Sequence, residues 1–116
     1  MIAPLRASGT FACLALASLI LSAPLRAQEA ATFTMTLEND VFSPPELKVP
    51  ANKPFMLKVI NKEKIAAEIE AKDLKIEKVA APGTEIIAKV KPLAPGRYLL
   101  VNEYKEDSVK AYIVAE

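Results

Sequence analysis

The sequence contains no histidine and only one cysteine in its 116 residues. Without an imidazole, the chain excludes every mechanism that uses histidine as a base, a proton shuttle or a metal ligand. Its charges are nearly balanced, with 15 Lys plus Arg against 14 Asp plus Glu. A net charge of +1 lacks the basic excess that nucleic-acid binding normally needs, so no nucleic-acid partner is expected. The 52% of hydrophobic and 25% of charged residues are typical of one packed domain.

The first 27 residues are typical of a cleaved export signal. Arg6 comes first, an apolar stretch follows over residues 11–21, and Ala27 is the small residue expected before the cut. The apolar stretch is too short to cross ~30 Å of hydrocarbon as a stable helix. We therefore predict cleavage between Ala27 and Gln28, a periplasmic location, and no membrane span in the mature protein. An uncleaved membrane anchor is the alternative.

Removal of this signal, residues 1–27, leaves a single domain over residues 28–116, which is 89 of the 116 residues. The cut also removes Arg6, Arg26 and Cys13, so that 13 basic residues remain beside all 14 acidic ones. The mature chain then has neither histidine nor cysteine, and no disulfide can stabilise it in an oxidising compartment. Its serines have no evident activator, so the chain is not expected to be an enzyme.

Beyond residue 31, apolar and polar residues mostly alternate, in short runs separated by proline, glycine and asparagine. Alternation with a period of two indicates β-strands with one buried face. The runs that predict strands are residues 32–37, 47–49, 55–60, 84–90, 98–101 and 111–114. Seven or eight short strands without a βαβ rhythm predict an all-β protein, an antiparallel Greek-key β-sandwich.

Residues 62–78 fit this pattern less well. Their Ala, Glu, Lys and Leu content favours a helix by propensity. Their apolar residues match neither the helical period nor the strand period. We favour two short strands, or a strand and a turn, over a helix.

The order of several short motifs resembles the cupredoxin-like domains of exported bacterial proteins, especially the small EfeO-type group associated with iron uptake. The motifs are Phe42-Ser43-Pro44, Leu47-Lys48-Val49-Pro50-Ala51, Val59-Ile60-Asn61, Glu68-Ile69-Glu70, Asp73-Leu74, Glu77-Lys78, Pro82-Gly83, Pro92-Leu93-Ala94-Pro95-Gly96-Arg97-Tyr98, Glu103-Tyr104 and Ile113-Val114-Ala115-Glu116. The resemblance covers almost all of the mature chain and implies a cupredoxin-like fold. It also implies an exported accessory protein of metal handling or uptake, with iron, or else copper, as the metal. The implied partner is a membrane metal permease or another exported metal-handling protein.

The resemblance further locates the ligands of the blue-copper members, which hold type 1 copper with two histidines, a cysteine and often a methionine. Those ligands follow the strand that ends in asparagine and surround the last hairpin. The matching segments here are residues 62–70 and 102–110, and neither contains histidine or cysteine. A type 1 copper site is therefore excluded in the mature protein, and blue-copper electron transfer with it.

Carboxylates remain at the matching positions. The residues expected to bind a metal are Glu68, Glu70, Asp73, Glu77 and Glu103. Glu68 and Glu70 are two apart and would share one face of a strand. Oxygen ligands suit iron(III), manganese or calcium, and they can also hold copper(II). Lys105 stands where the iron-uptake group often has a histidine, and its ammonium is expected to repel a cation and to pair with the carboxylates.

The acidic residues also have an interpretation without a metal, and it implies a different function. Glu and Lys are interspersed over residues 62–78, which is also typical of a solvated surface, where ion pairs contribute only ~0–1 kcal/mol. The chain would then be a metal-free cupredoxin-fold module that acts by binding another protein.

Overall fold

The alternating runs form nine β-strands in the part of the chain that the computed structural model describes, residues 30–105 and 108–116 with isolated positions at 2–5, 9, 18 and 20. The strands are β1 (Thr32–Glu38), β2 (Val41–Ser43), β3 (Glu46–Val49), β4 (Phe55–Asn61), β5 (Ala67–Ala71), β6 (Ile76–Ala80), β7 (Glu85–Val90), β8 (Gly96–Asn102) and β9 (Lys110–Ala115). Two single 3₁₀ turns, Lys72–Leu74 and Glu103–Lys105, follow β5 and β8.

The strands form two sheets that enclose one core. One sheet has four strands in the order β2-β1-β4-β7, and the other has five in the order β3-β9-β8-β5-β6. This arrangement confirms the predicted β-sandwich.

Two of the strand pairings are parallel, in contrast to the antiparallel expectation: β1 pairs with β4 and β3 pairs with β9. The chain leaves β1 and β2, crosses to the other sheet as β3, and returns to the first sheet as β4. A strand that returns after such a crossing can lie parallel to the strand that it joins. Alternation and turn signals predict where strands lie, but they do not reveal pairing between strands so far apart in the sequence.

The core is filled by one face of each long strand. In the central strand β4, Phe55, Leu57 and Val59 are fully buried, and the residues between them are half-buried. Each of these side chains contributes about 1.5–3 kcal/mol to the free energy of unfolding through burial. Phe33 packs edge-on against Phe55 at a ring-centroid distance of 5.8 Å and closes the core at one end.

Residues 62–78, which the sequence left ambiguous, form β5 and the start of β6 with a 3₁₀ turn between them. The favoured prediction of two short strands is confirmed, and the helical alternative is wrong. The chain reverses at Lys75, which has a left-handed backbone with φ of 56°. Tertiary burial of Ala67, Ile69 and Ala71 overrides the helix propensity of this segment.

The predicted export signal, residues 1–27, lies outside the described residues apart from the isolated positions given above. Among the described residues, no helix combines the length and the apolar character that a membrane crossing requires.

Candidate functional site

One end of the sandwich carries the connections after β4 and β8, which the resemblance matches to the metal-binding segments of blue-copper cupredoxins. The strand β4 ends there at Asn61, and β8 ends beside it at Asn102. Both asparagines are buried, with exposed fractions of 0% and 3%, among side chains that are otherwise apolar. A buried amide is costly unless its polar atoms are hydrogen-bonded, so the partners of these two residues define the site.

Asn61 joins three segments of the chain. Its Nδ2 atom donates to the carbonyl oxygens of Ile65 at 3.0 Å and Ala80 at 3.1 Å. Its Oδ1 atom accepts a hydrogen bond from the backbone N–H of Glu63 at 3.0 Å. The side chain thereby holds the connection after β4 against the end of β6.

Asn102 does the same for the connection after β8. Its Oδ1 atom accepts from the backbone N–H of Glu68 at 3.1 Å and from that of Tyr104 at 3.3 Å. The first bond ties β5 to β8, and the second fixes the start of the 3₁₀ turn Glu103–Lys105. The backbone of both connections is therefore held by amide side chains.

An ion pair closes the same end from the outside. The Lys105 Nζ atom lies 2.8 Å from both carboxylate oxygens of Asp40. The backbone N–H of Asp40 donates to Glu63 Oε1 at 2.6 Å. Asp40 lies with Asn39 in the tight turn between β1 and β2, where both residues have a left-handed backbone. Three connections from different parts of the sequence are thus linked through one lysine and two carboxylates.

The five acidic residues predicted to bind a metal lie elsewhere, on and around the outer face of the five-stranded sheet. Glu68 and Glu70 lie on β5 and point away from the core, because Ala67, Ile69 and Ala71 point into it. Their neighbours on the same face are set by strand register. Glu77 on β6 lies directly opposite Glu70.

Glu70 and Glu77 both affect the pKa of Glu68. Partial burial raises the pKa of Glu68 above its ordinary value, and a hydrogen bond with Glu77 raises it further. The negative charges of Glu77 and Glu70 add to the same shift of the Glu68 pKa. The outer face of β5 and β6 therefore has a local negative potential.

Asp73 and Glu103 lie in the two 3₁₀ turns, and with Glu70 they belong to a second group of acidic residues, distinct from the one formed by Glu68, Glu70 and Glu77. Asp73, Glu103 and Glu70 line a surface cavity of about 430 Å³ on the outer face of the five-stranded sheet. Among the described residues, its lining is Glu70, Lys72, Asp73, Leu99, Val101, Glu103 and Lys110. The Oε2 atom of Glu103 is shielded from solvent. Glu68 and Glu77 do not line this cavity, so the five acids divide between two adjoining places that share Glu70.

In neither place do the acids converge tightly. Within residues 30–105 and 108–116 there is no group of three or more acidic side chains arranged to hold a metal ion. Lys72 and Lys110 line the same cavity as the acids, and Lys72 Nζ lies 3.7 Å from Glu70 Oε1. Metal binding by the five acids stays a prediction.

Sequence reasoning missed the residues that close the sandwich end. Lys105 was expected to pair with carboxylates, but its partner is Asp40, which was not among the five acids considered. The sequence does contain a signal for this turn, because Asn39-Asp40 between alternating runs is typical of a two-residue hairpin. The roles of Asn61 and Asn102 could not be foreseen, since their partners lie up to 34 residues away.

The two-sheet fold is that of a cupredoxin-like protein. The family model for the cupredoxin-like domain matches residues 11–115. The chain belongs to this family.

The chain also has a relative among curated proteins. An uncharacterised protein of Rickettsia prowazekii is 28% identical over 80 residues, which are 69% of this chain and 64% of that protein. The chain thus spans slightly less than two thirds of the length of this curated relative.

Solved structures of similar fold include auracyanin of the photosynthetic bacterium Roseiflexus castenholzii, with a TM-score of 0.60 and 15% identity. That match covers 76% of this chain and 98% of the auracyanin. Auracyanin B is similar with a TM-score of 0.62 and 14% identity, over 79% of this chain and 93% of that one. A chain of a heme-copper terminal oxidase has a TM-score of 0.61 at 15% identity, over 82% of this chain and 74% of that one. Identities this low show a shared fold.

The residues present do not fit the copper centre for which the fold is known. Type 1 copper requires a thiolate and two imidazoles. The sequence has no histidine, and Cys13 precedes the sandwich. At the two ligand-bearing connections, the chain instead has Asn61, Asn102 and an ammonium group, that of Lys105. The positive charge at this end of the sandwich is therefore that of the Lys105 side chain, which pairs with Asp40.

Proposed function

We propose that the protein is an exported cupredoxin-like accessory protein of metal handling, of the EfeO type associated with iron uptake. In this proposal the metal is iron, or else copper, and the protein meets it on the outer face of β5 and β6. Carboxylate oxygens are the ligands that iron(III) prefers, and they also accept copper(II).

The observation that carries the proposal is that Glu68, Glu70 and Glu77 share one face of the sheet, where the charges of Glu70 and Glu77 add to the raised pKa of Glu68. Glu70 and Glu77 lie directly opposite each other, and like charges in that position destabilise a sheet. Burial and a hydrogen bond with Glu77 are the main causes of the raised pKa of Glu68, and the negative charges of Glu77 and Glu70, which add to it, would also attract a cation. A cation bound there would relieve the repulsion, which gives the face a reason to bind one.

The end of the sandwich is a less suitable place for a metal ion than the sheet face. Its polar groups are committed to holding connections together, as the bonds of Asn61, Asn102 and Lys105 describe. We therefore assign a structural role to this end and a contact role to the sheet face.

Export and the partner belong to the proposal as well. Residues 1–27 carry the sequence pattern of a cleaved signal, which supports a periplasmic location. A membrane metal permease, or another exported metal-handling protein, is the partner that such an accessory protein would serve.

A second candidate function is a metal-free module that binds another protein. The lack of a converging group of three acids within the described residues favours it, as does the presence of Lys72 and Lys110 beside the acids. The two candidates differ in whether the isolated protein binds a metal ion at all.

Calorimetric titration with iron, supplied as its citrate complex, and separately with copper(II) distinguishes them. We expect at least one metal to bind with a dissociation constant below ~0.1 mM, which corresponds to about −5.5 kcal/mol. Glu68→Gln together with Glu77→Gln should weaken that binding. Glu38→Gln, on an exposed position of the other sheet, is the matched control and should leave it unchanged. Binding weaker than ~0.1 mM for both metals would favour the metal-free module.

A further inference from the structure

The cavity on the outer face of the five-stranded sheet has an apolar floor. Val101 lies opposite Glu70 on the neighbouring strand, and Leu99 lies two residues before it on the same face. Val101 is buried, yet it does not belong to the cluster that fills the space between the sheets. Leu99 is 44% exposed. Leu99 therefore offers apolar surface that the fold leaves exposed, and Val101 lines the cavity beside it.

The walls of the cavity carry both negative and positive side chains, and these differ in how far they are exposed to water. The side chain of Glu70 is only 11% exposed, whereas that of Lys72, which pairs with it at 3.7 Å, is 79% exposed. A carboxylate withdrawn so far from water gains little from a long contact with an exposed, hydrated ammonium. A cation that entered the cavity itself would approach Glu70 more closely and would be better shielded from water.

An apolar floor that leads to a withdrawn carboxylate matches one kind of side chain. Lysine and arginine each have an apolar stem and a cationic head, and they cover apolar surface with the stem while the head finds a partner. The volume of about 430 Å³ lies within the range of ~300–1,000 Å³ that is usual for binding pockets. Asp73 also lines the cavity, and its carboxylate adds an acceptor for the additional N–H groups of such a head.

We propose that this cavity is a docking site for a basic side chain, lysine or arginine, on the surface of a partner protein. The stem would lie on Leu99 and Val101, and the head would displace Lys72 from Glu70. The partner would therefore present a basic side chain at this surface. This inference rests on the accessory role proposed above. It does not require that a metal be bound.

The other route to a partner, addition of a strand to the edge of the sheet, is less well supported. The edge strand β6 presents Lys78 toward the inner side, because Lys78 lies opposite the core residue Ile69. Charged residues that point inward on an edge strand are a known protection against pairing with another chain. The face, and not this edge, is therefore the surface that we assign to a partner.

The proposal is tested by nuclear magnetic resonance titration of the isotope-labelled protein with Nα-acetyl-lysine methylamide, in buffer that contains EDTA. The norleucine analogue, which keeps the stem and lacks the ammonium, is the matched control ligand. We expect saturable shifts at the amides of Glu70, Val101 and Lys110 with the lysine compound, with a millimolar dissociation constant. The norleucine compound should give shifts that are weaker by about tenfold, the effect of one charge-assisted hydrogen bond.

Variants then assign the binding to this cavity. Glu70→Gln should weaken the lysine titration by about tenfold, and Leu99→Ser should weaken it through loss of the apolar floor. Glu38→Gln should leave it unchanged. Equal shifts with both compounds, shifts that do not saturate, or an unchanged titration of Glu70→Gln would each overturn the proposal. Because EDTA removes free metal, this failure is separate from a failure of the metal titration.

Discussion

Charged residues are paired with opposite charges at the end of the sandwich, whereas residues of like charge lie together on the outer face of its five-stranded sheet. At the end, Lys105 contacts both oxygens of Asp40 at 2.8 Å, and the buried amides bond to backbone groups. On the sheet face, Glu70 lies opposite Glu77 on the adjacent strand, and the Nζ atom of Lys72 lies 3.7 Å from Glu70 Oε1. The polar groups at the end of the sandwich are thus paired with one another, whereas the outer face of β5 and β6 brings three glutamates together.

Loss of a buried amide should show the largest effect. Asn61→Ala leaves the carbonyl oxygens of Ile65 and Ala80 and the N–H of Glu63 without this partner. We expect the free energy of unfolding to fall by about 3 kcal/mol, since each buried polar group left unpaired costs ~1–3 kcal/mol. Urea unfolding followed by circular dichroism measures it. Glu38→Gln should change stability by less than ~0.5 kcal/mol, and a comparable stability of both variants would contradict the structural role of Asn61.

Removal of the ion pair should have a smaller effect. Lys105→Met and Asp40→Asn are each expected to lower the free energy of unfolding by up to ~1 kcal/mol, because both side chains are partly exposed to water. A double-mutant cycle measures the coupling between the two residues. The coupling should shrink as salt is added, since salt screens exposed charges. A coupling of zero at low salt would show that this contact does not hold the end closed.

Neutralisation of the face should have the opposite sign. The folded state raises the pKa of Glu68, so ionising this carboxyl costs stability, and that stability is lost as pH rises through the raised pKa. Glu68→Gln should therefore melt at a higher temperature than the wild type at neutral pH. The two proteins should converge in acid, where Glu68 is protonated in both states. Thermal unfolding at several pH values measures this, and a lower melting temperature for Glu68→Gln at neutral pH would contradict the account.

Much of the fold could be predicted from the sequence, because burial of one face imposes a period of two. The alternation placed β1 and β4 within one residue of their observed bounds. The strand β2 was not foreseen, since three residues before a pair of prolines are too few to show a period. The parallel pairings were not foreseen either, because they depend on where the chain crosses between sheets.

The candidate sites were less accessible to prediction. The spacing of Glu68 and Glu70 correctly placed both on one face of β5. The meeting of Asp73 with Glu103 depends on two 3₁₀ turns that lie 31 residues apart, which no local pattern reveals. The partner of Lys105 comes from a hairpin turn 65 residues away. Contacts between distant connections are set by the assembled sandwich.

The most direct test of the central claim is to map where a cation binds. Addition of copper(II) to the isotope-labelled protein broadens the amide resonances nearest to the ion. We expect the broadening to centre on Glu68, Glu70 and Glu77 and to disappear in the Glu68→Gln, Glu70→Gln, Glu77→Gln triple variant, while Lys105→Met leaves it in place. Broadening centred on Asn61 and Asn102 instead would contradict the claim that the end of the sandwich is structural and the sheet face is the contact surface.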